Sequence, residues 1–296
     1  MHKNIILYSL PYYRSSAKKI TKNQKITFGT YNFLRFANQE AYIELKQDVK
    51  NKVCYIFGFI NPPENNLLET LLLIHTLKKE KAAKVIVIIP FLAYMRHEKP
   101  EKHKSLGTDL IAKLFGVTGV DKMIAIDIHS PYAQNYFKFP LVSIFPSQLL
   151  AAAILKSGWT DFSLVAPDQG AIIRCEQVKK ELPFETGLAY FKKTRKEKSI
   201  KMILNGRVKK RAIIIDDVLD TGSTLLESVK ILKNKGVEEI IILISHGLFI
   251  GKKWPELFKF GVKKIYVTNS LKLPENTIPY RSKISVMSLE SLIKNI

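Results

Sequence analysis

The stretch from Ala212 to Thr224 constrains this chain more than any other. It opens as the apolar, β-branched run Ala212-Ile213-Ile214-Ile215, the pattern of a strand buried on both faces of a parallel sheet. Two adjacent carboxylates, Asp216 and Asp217, stand where that strand is expected to end. Asp220, Thr221, Gly222, Ser223 and Thr224 follow, and then Leu225, Val229 and Leu232 recur at helical spacing, with Gly236 as a stop. The stretch therefore reads as strand, tight loop and helix.

In open α/β sheets ligands bind at the carboxyl ends of the strands, where such a loop lies. Backbone N–H groups of the Thr-Gly-Ser-Thr turn, at a helix N-terminus, suit a phosphate. The carboxylates cannot hold that phosphate. They suit ribose hydroxyls, which donate hydrogen bonds, or hydrated Mg2+. A sugar phosphate satisfies both halves of the loop. A plain strand-to-helix turn capped by Asp220 or Ser223 would leave the paired acids without a purpose.

The rest of the chain repeats this layout. Strands are expected over 5–10, 25–28, 41–45, 53–59, 84–90 and 123–128, then over 162–166, 186–191, 239–245 and 264–267. Helices are expected behind the Asn and Pro cluster of 61–66, over 108–115, 147–155 and 171–181. Strands and helices alternate in both halves, which argues for two α/β domains joined near 140–146. The boundaries are placed at 1–143 and 144–296, with the closing residues packing back on the first domain.

Several loops carry unusual residues, each with an ordinary reading beside a functional one. Arg35 to Glu40 is a hairpin turn with solvated charge or an adenine platform. Phe91 to Lys99, with Arg96 and His97, is a mixed-charge surface loop or a ligand loop. His129, just past a strand end and in line with Asp127, is a satisfied polar residue or a ligand at the place where a parallel sheet puts one. Lys192-Lys193-Thr194-Arg195 reads as a basic loop closing a strand.

Composition narrows the partners. A hydrophobic fraction of 46% supports a real core and excludes a disordered chain. The net charge of +21 is either a lysine-rich solvated surface or an attraction to polyanions. There is no zinc-finger spacing, basic heptad helix or aromatic RNA-binding signature. Nucleotide and sugar phosphates therefore fit better, and no nucleic-acid partner is expected. No run of about 18 apolar residues suggests a membrane span, and the first residues lack a signal-peptide pattern. Cys54 and Cys175 form no metal-ligand pattern and read as reduced structural thiols. A cytoplasmic location and no membrane partner are expected.

From about residue 30 to 290 these loops resemble the ribose-phosphate pyrophosphokinase (phosphoribosyl pyrophosphate synthetase) family. Asp216 to Thr224 resembles the phosphoribosyl-binding signature ending Asp-Thr-Gly-x-Thr, which phosphoribosyltransferases share. Arg35-Phe36-Ala37-Asn38-Gln39-Glu40 resembles the family's Arg-Phe-x-Asp-Gly-Glu adenine segment, with Asn38-Gln39 in place of Asp-Gly. Residues 61–69 resemble its pyrophosphate-binding loop, and Phe91 to Lys99 is similar to its ATP loop, with His97-Glu98 in place of Gln-Asp. Ile126 to His129, Val165 to Gly170, and Lys193-Thr194-Arg195 resemble its metal-binding His segment, its metal- and ribose-binding Asp segment, and its catalytic flexible loop.

The resemblance implies two tandem phosphoribosyltransferase-type domains, each a mostly parallel β-sheet flanked by helices. It implies ATP and ribose 5-phosphate as substrates and Mg2+ as cofactor. ATP would be held by Phe36, Asn38, Glu40, Arg96 and His97, and the metal by His129 and Asp168. Asp216, Asp217, Asp220, Thr221, Gly222, Ser223 and Thr224 would take ribose 5-phosphate, with Lys193 and Arg195 catalytic. A homo-oligomer built from dimers, up to a hexamer, is implied as well. A non-catalytic regulatory relative and a phosphoribosyltransferase are the alternatives. The first would lose metal or loop residues, and the second would lack the ATP loops.

Overall fold

The computed structural model describes residues 4–196 and 199–293, with the side chains of 193–201 excepted. The chain divides into two compact units. One comprises the residues through Ile144 together with Ile293, and the other runs Phe145–Leu292.

The first unit contains β1 (Ile5–Ser9), α1 (Arg14–Gln24), β2 (Thr27–Phe28), β3 (Tyr31–Arg35), β4 (Ala41–Leu45), β5 (Val53–Phe57), α2 (Asn65–Lys79), β6 (Lys84–Ile89), α3 (Gly107–Val117), β7 (Lys122–Ile126) and β8 (Leu141–Ile144). Six strands form one sheet in the order β2-β1-β5-β6-β7-β8, every neighbouring pair parallel. The β-branched runs of β5 and β6 supply Cys54, Ile56, Val85, Val87 and Ile89 to a core closed by Leu73, Ile74 and Leu77 of α2 and Ile111 and Phe115 of α3. The strands β3 and β4 stand apart as an antiparallel hairpin. Tyr31, Ile43 and Leu45 of that hairpin pack on the same core, and Tyr31 Oη donates to Glu69 Oε1 at 2.7 Å.

The second unit contains α4 (Ser147–Lys156), β9 (Ser163–Ala166), α5 (Ile172–Lys180), β10 (Gly187–Lys196), β11 (Ser199–Asn205), β12 (Arg211–Leu219), α6 (Ser223–Asn234), β13 (Glu239–Gly247), α7 (Glu256–Lys259), β14 (Val262–Thr268) and β15 (Ile284–Met287). Its sheet runs β11-β10-β9-β12-β13-β14-β15, parallel throughout except for the antiparallel edge strand β11. A short helix, α8 (Glu290–Ile293), ends the described chain.

The two-residue period of β12 and β13 sorts their side chains onto two faces. Ala212, Ile214, Ile240 and Ile242 pack with Leu225, Val229 and Leu232 of α6. Ile213, Ile215, Ile241 and Leu243 pack with α4 and α5 through Leu150, Ile154, Cys175 and Val178. Burial on both faces is why these strands read as unbroken apolar runs.

The structure departs from the sequence reading at several places, among them the strands β8, β11 and β15 and the helix α7, where no element was expected. The strand that begins at Arg211 runs on to Leu219, so Asp216 and Asp217 lie inside β12, where pairing with β13 continues through Leu219 and Gly247. The basic segment after residue 191 belongs to β10, paired residue by residue with β11, and is a hairpin strand rather than a loop. The helix expected to stop at Gly116 continues to Val117. The helix α1 and the strand β3 were not foreseen. Only Ala17, Ile20 and Thr21 of α1 are buried, too sparse an apolar face to stand out among its lysines and serines.

Candidate functional site

In the second unit the loops after β9 and β12 leave the same end of the sheet, because these strands are parallel neighbours with Ile214 opposite Val165. Asp168 lies in the first loop, half-buried, and its Oδ1 accepts from the N–H of Ala171 at 3.2 Å. Asp216 Oδ1 accepts from the Asp217 N–H at 3.0 Å. Burial raises the Asp216 carboxyl well above the ordinary aspartate range. The Asp217 and Asp168 carboxylates push in the same direction, and Arg174 opposes them.

Asp217 is buried and is met by Arg174 of α5, Nη2 to Oδ2 at 3.6 Å. It follows Ile213 and Ile215 at the strand period, on the side where α5 packs. The Arg174 Nη1 also donates to Gly170 O at 3.4 Å. Arg174 was missed in the sequence, where it sits unremarkably in a helix; only the fold brings it to the paired acids.

The turn from Asp220 to Gly222 ends at the first residue of α6. Gly222 takes φ +82° as the N-cap, and no side chain caps the helix, contrary to the plain capped turn with Asp220 or Ser223. The Thr221 Oγ1 and Ser223 Oγ lie 3.2 Å apart, and Thr221 Oγ1 accepts from the Ser223 N–H at 3.4 Å. A Cβ at Gly222 would stand 2.8 Å from Trp254 Cα. Gly222 is thus required twice, by its backbone angle and by the close approach of a second segment. A helix N-terminus without a side-chain cap, ringed by hydroxyls, is an anion site in the making.

In the first unit the hairpin tip between β3 and β4 is closed by two main-chain bonds. The Phe36 N–H donates to Glu40 O, and the Gln39 N–H donates to Phe36 O, both at 2.9 Å. Gln39 takes φ +71°, the angle for which glycine is the cheap residue. Arg35 Nη1 donates to the Gln39 carbonyl at 2.6 Å, and Asn38 Oδ1 accepts from the Glu40 N–H at 3.2 Å. Phe36, 55% exposed, stacks on Tyr42 with centroids 4.6 Å apart and planes at 26°. Tyr42 was missed because it lies beyond the tip on β4.

The loop after β6 carries Arg96 and His97, both exposed. It is tied down from below. Thr108 Oγ1 lies within donating distance of the carbonyls of Tyr94 (3.3 Å) and His97 (3.1 Å), and Tyr136 Oη donates to Glu98 O at 2.6 Å. At the end of β7, Asp127 is buried at φ +40° with its N–H donating to Ile144 O at 2.9 Å. The turn leaves His129 exposed. Lys193 and Arg195 fall on β10, and their side chains lie outside the described residues. Among the described residues no three His, Cys, Asp or Glu side chains gather as a metal-ligand group, and no helix is long and apolar enough to cross a membrane.

Comparison with known proteins matches residues 5–119 to the profile of the N-terminal domain of ribose phosphate pyrophosphokinase. Residues 147–269 match the phosphoribosyl transferase domain. A ribose-phosphate pyrophosphokinase of Fusobacterium nucleatum is 28% identical over 284 residues, covering 94% of this chain and 89% of the relative. One from Bacillus subtilis is 27% identical over 278 residues, covering 92% and 87%. The solved phosphoribosylpyrophosphate synthetase of Mycobacterium smegmatis superposes with a TM-score of 0.86 at 26% identity, covering 99% of this chain and 97% of that one. With both sheets, the two matched domains and relatives that run nearly its full length, the chain belongs to the ribose-phosphate pyrophosphokinase family.

Proposed function

We infer that this chain is a working ribose-phosphate pyrophosphokinase, transferring the pyrophosphoryl group of ATP to ribose 5-phosphate and releasing AMP. The carrying observation is the Asp216-to-Thr224 segment, in which two carboxylates near the end of β12 are followed by a short turn and an uncapped helix N-terminus. The anomeric hydroxyl of ribose 5-phosphate attacks the β-phosphorus. A new O–P bond forms there, the bond from that phosphorus to the oxygen bridging the α-phosphate breaks, and AMP leaves while the hydroxyl loses its proton. Such transfer relies on positioning and charge neutralisation.

The residues divide that work. N–H groups at the start of α6, with the hydroxyls of Thr221, Ser223 and Thr224, hold the 5-phosphate. Asp216, Asp217 and Asp220 accept from ribose hydroxyls, with Asp217 fixed in place by Arg174. Phe36, backed by Tyr42, offers a flat face to adenine, and Asn38 and Glu40 read its edge. Arg96 and His97 serve the phosphates of ATP. Lys193 and Arg195 neutralise the transferring group, where loss of one such cation costs on the order of 100-fold in rate.

A divalent cation, Mg2+, fits the donor chemistry of the Asp168 loop. The Asp168 carboxylate lies close enough to Asp216 to raise its pKa, a concentration of oxygen donors that a hard cation relieves. Asp168 would hold it in the second unit, His129 is proposed from the family resemblance as a metal ligand of the first, and a bound cation would supply charge neutralisation to the phosphates. The chain is read as cytoplasmic, in keeping with two buried free thiols, and as a dimer-based homo-oligomer.

The test is AMP release from ATP, ribose 5-phosphate and Mg2+, on the wild type and on Lys193→Ala. Ribose-dependent AMP that collapses in the variant supports both the reaction and the catalytic assignment. AMP formation indifferent to the substitution keeps the reaction and removes Lys193 from it. No AMP from folded protein, with other triphosphates and added phosphate tried, leaves a regulatory relative.

A further inference from the structure

The segment that follows β13 turns back along the phosphate loop. The N–H groups of Leu248 and Phe249 both donate to Leu219 O, at 2.9 and 3.0 Å, and the Ile250 N–H donates to Asp220 O at 3.0 Å. Four residues on, Trp254 closes against the loop: a Cβ on Gly222 would lie 2.8 Å from Trp254 Cα and 3.2 Å from Trp254 N. Trp254 is anchored there, fully buried and edge-on to Phe249, Phe258 and Tyr280. The peptide joining Lys253 to Trp254 is therefore pinned against Gly222, the N-cap of α6.

Lys252 and Lys253 are both exposed, and among the described residues neither is engaged by a carboxylate. Some lysines of this unit are paired with carboxylates. Lys209 pairs with Asp161 at 2.7 Å, Lys210 with Glu238 at 2.8 Å and Lys263 with Glu239 at 3.3 Å. The phosphate loop meanwhile has an electrostatic deficit. From Asp216 to Val229 the sequence carries acids and no base, so any cation that an arriving phosphate dianion meets there must come from another segment, as Arg174 does for Asp217.

We propose that Lys252 and Lys253 form a cationic rim of the phosphate cradle, drawing the 5-phosphate of ribose 5-phosphate onto the N-terminus of α6. This rests on the functional reading above and adds two ligand-contacting residues to it. A lysine ammonium serves phosphate as a mobile point charge, here on a long stem rooted within two residues of the Trp254 backbone that crowds Gly222. Two such cations over a site raise the local concentration of an anionic ligand by about tenfold or more at low salt, and the gain falls as ionic strength rises.

The experiment is titration calorimetry with ribose 5-phosphate and, separately, with inorganic phosphate and with ribose. Wild type, the double variant Lys252→Ala/Lys253→Ala, the double arginine variant and a Lys259→Ala control on α7 are compared at low and high salt. The expected result is an about tenfold rise in Kd for ribose 5-phosphate in the double alanine variant, with a flatter salt dependence. Binding is restored by arginine and unchanged in the Lys259 control. Inorganic phosphate weakened in parallel places the effect on the phosphate; ribose alone weakened would put it elsewhere and overturn the proposal. Ribose 5-phosphate bound equally by the double alanine variant and wild type, or weakened equally by Lys259→Ala, overturns it as well. A wild type that binds no ribose 5-phosphate removes the functional reading, and this rim with it.

Discussion

Arg174 Nη2 lies 3.6 Å from Asp217 Oδ2, and both side chains are buried. The adjacent Asp216 keeps its carboxyl beside Asp168 and far above the ordinary range. Neighbours in sequence thus have different charge environments. Replacing Arg174 with Met would leave a buried carboxylate without its cation, which costs roughly 3–5 kcal/mol. Urea denaturation of the variant should give a lower midpoint with an unchanged slope. Arg174→Lys should recover part of the loss, and equal loss in both would mean that charge is not what Arg174 supplies.

Gly222 has φ +82° and no room for a Cβ beside Trp254. Gly222→Ala carries an αL penalty of about 1–2 kcal/mol and must also displace the Trp254 backbone. We expect a fall in Tm together with a large rise in Kd for ribose 5-phosphate, read by thermal unfolding and calorimetry on one preparation. Unchanged ribose 5-phosphate affinity would detach this turn from the phosphate.

Gln39 occupies the hairpin tip at φ +71°. Gln39→Gly relieves that angle, at the expense of extra freedom in the unfolded chain, and should raise stability by about 0.5–1 kcal/mol. The check is a denaturation curve of the intact protein. A loss of stability would mean that the Gln39 side chain contributes more than its backbone costs.

Glu69 is buried beneath the β3–β4 hairpin, where it accepts from Tyr31 Oη at 2.7 Å. Burial raises its carboxyl above the ordinary glutamate value, against the lowering effect of the Tyr31 hydrogen bond and of Arg14. A raised folded pKa means that stability is fully present below the unfolded value and is lost as pH rises through the folded one. Glu69→Gln keeps an acceptor for Tyr31 without the charge. Its Tm should exceed that of the wild type by a few degrees near neutral pH, and the gap should close toward about pH 4. A constant difference across that range would exclude the carboxylate charge as its cause.

The amino-acid sequence by itself determined the two-fold alternation of buried strands and amphipathic helices. Ile213 to Ile215 and Val85 to Ile89 are legible because strands covered on both faces must be apolar throughout. It also located the turn proposed to hold phosphate, since Thr221 to Thr224 combines small size, hydroxyls and a following helix in consecutive residues. Only the tertiary structure decided which side chains from distant segments stand beside that turn. Arg174 reaches Asp217 because α5 packs on the odd-numbered face of β12, and Trp254 reaches Gly222 because the chain folds back after β13. The length of β12 was decided in the same way. Asp216 and Asp217 are poor strand residues by propensity, and hydrogen bonding to β13 carries the strand through them. Local patterns report what a segment buries, and pairing across the sheet sets where it ends and what it meets.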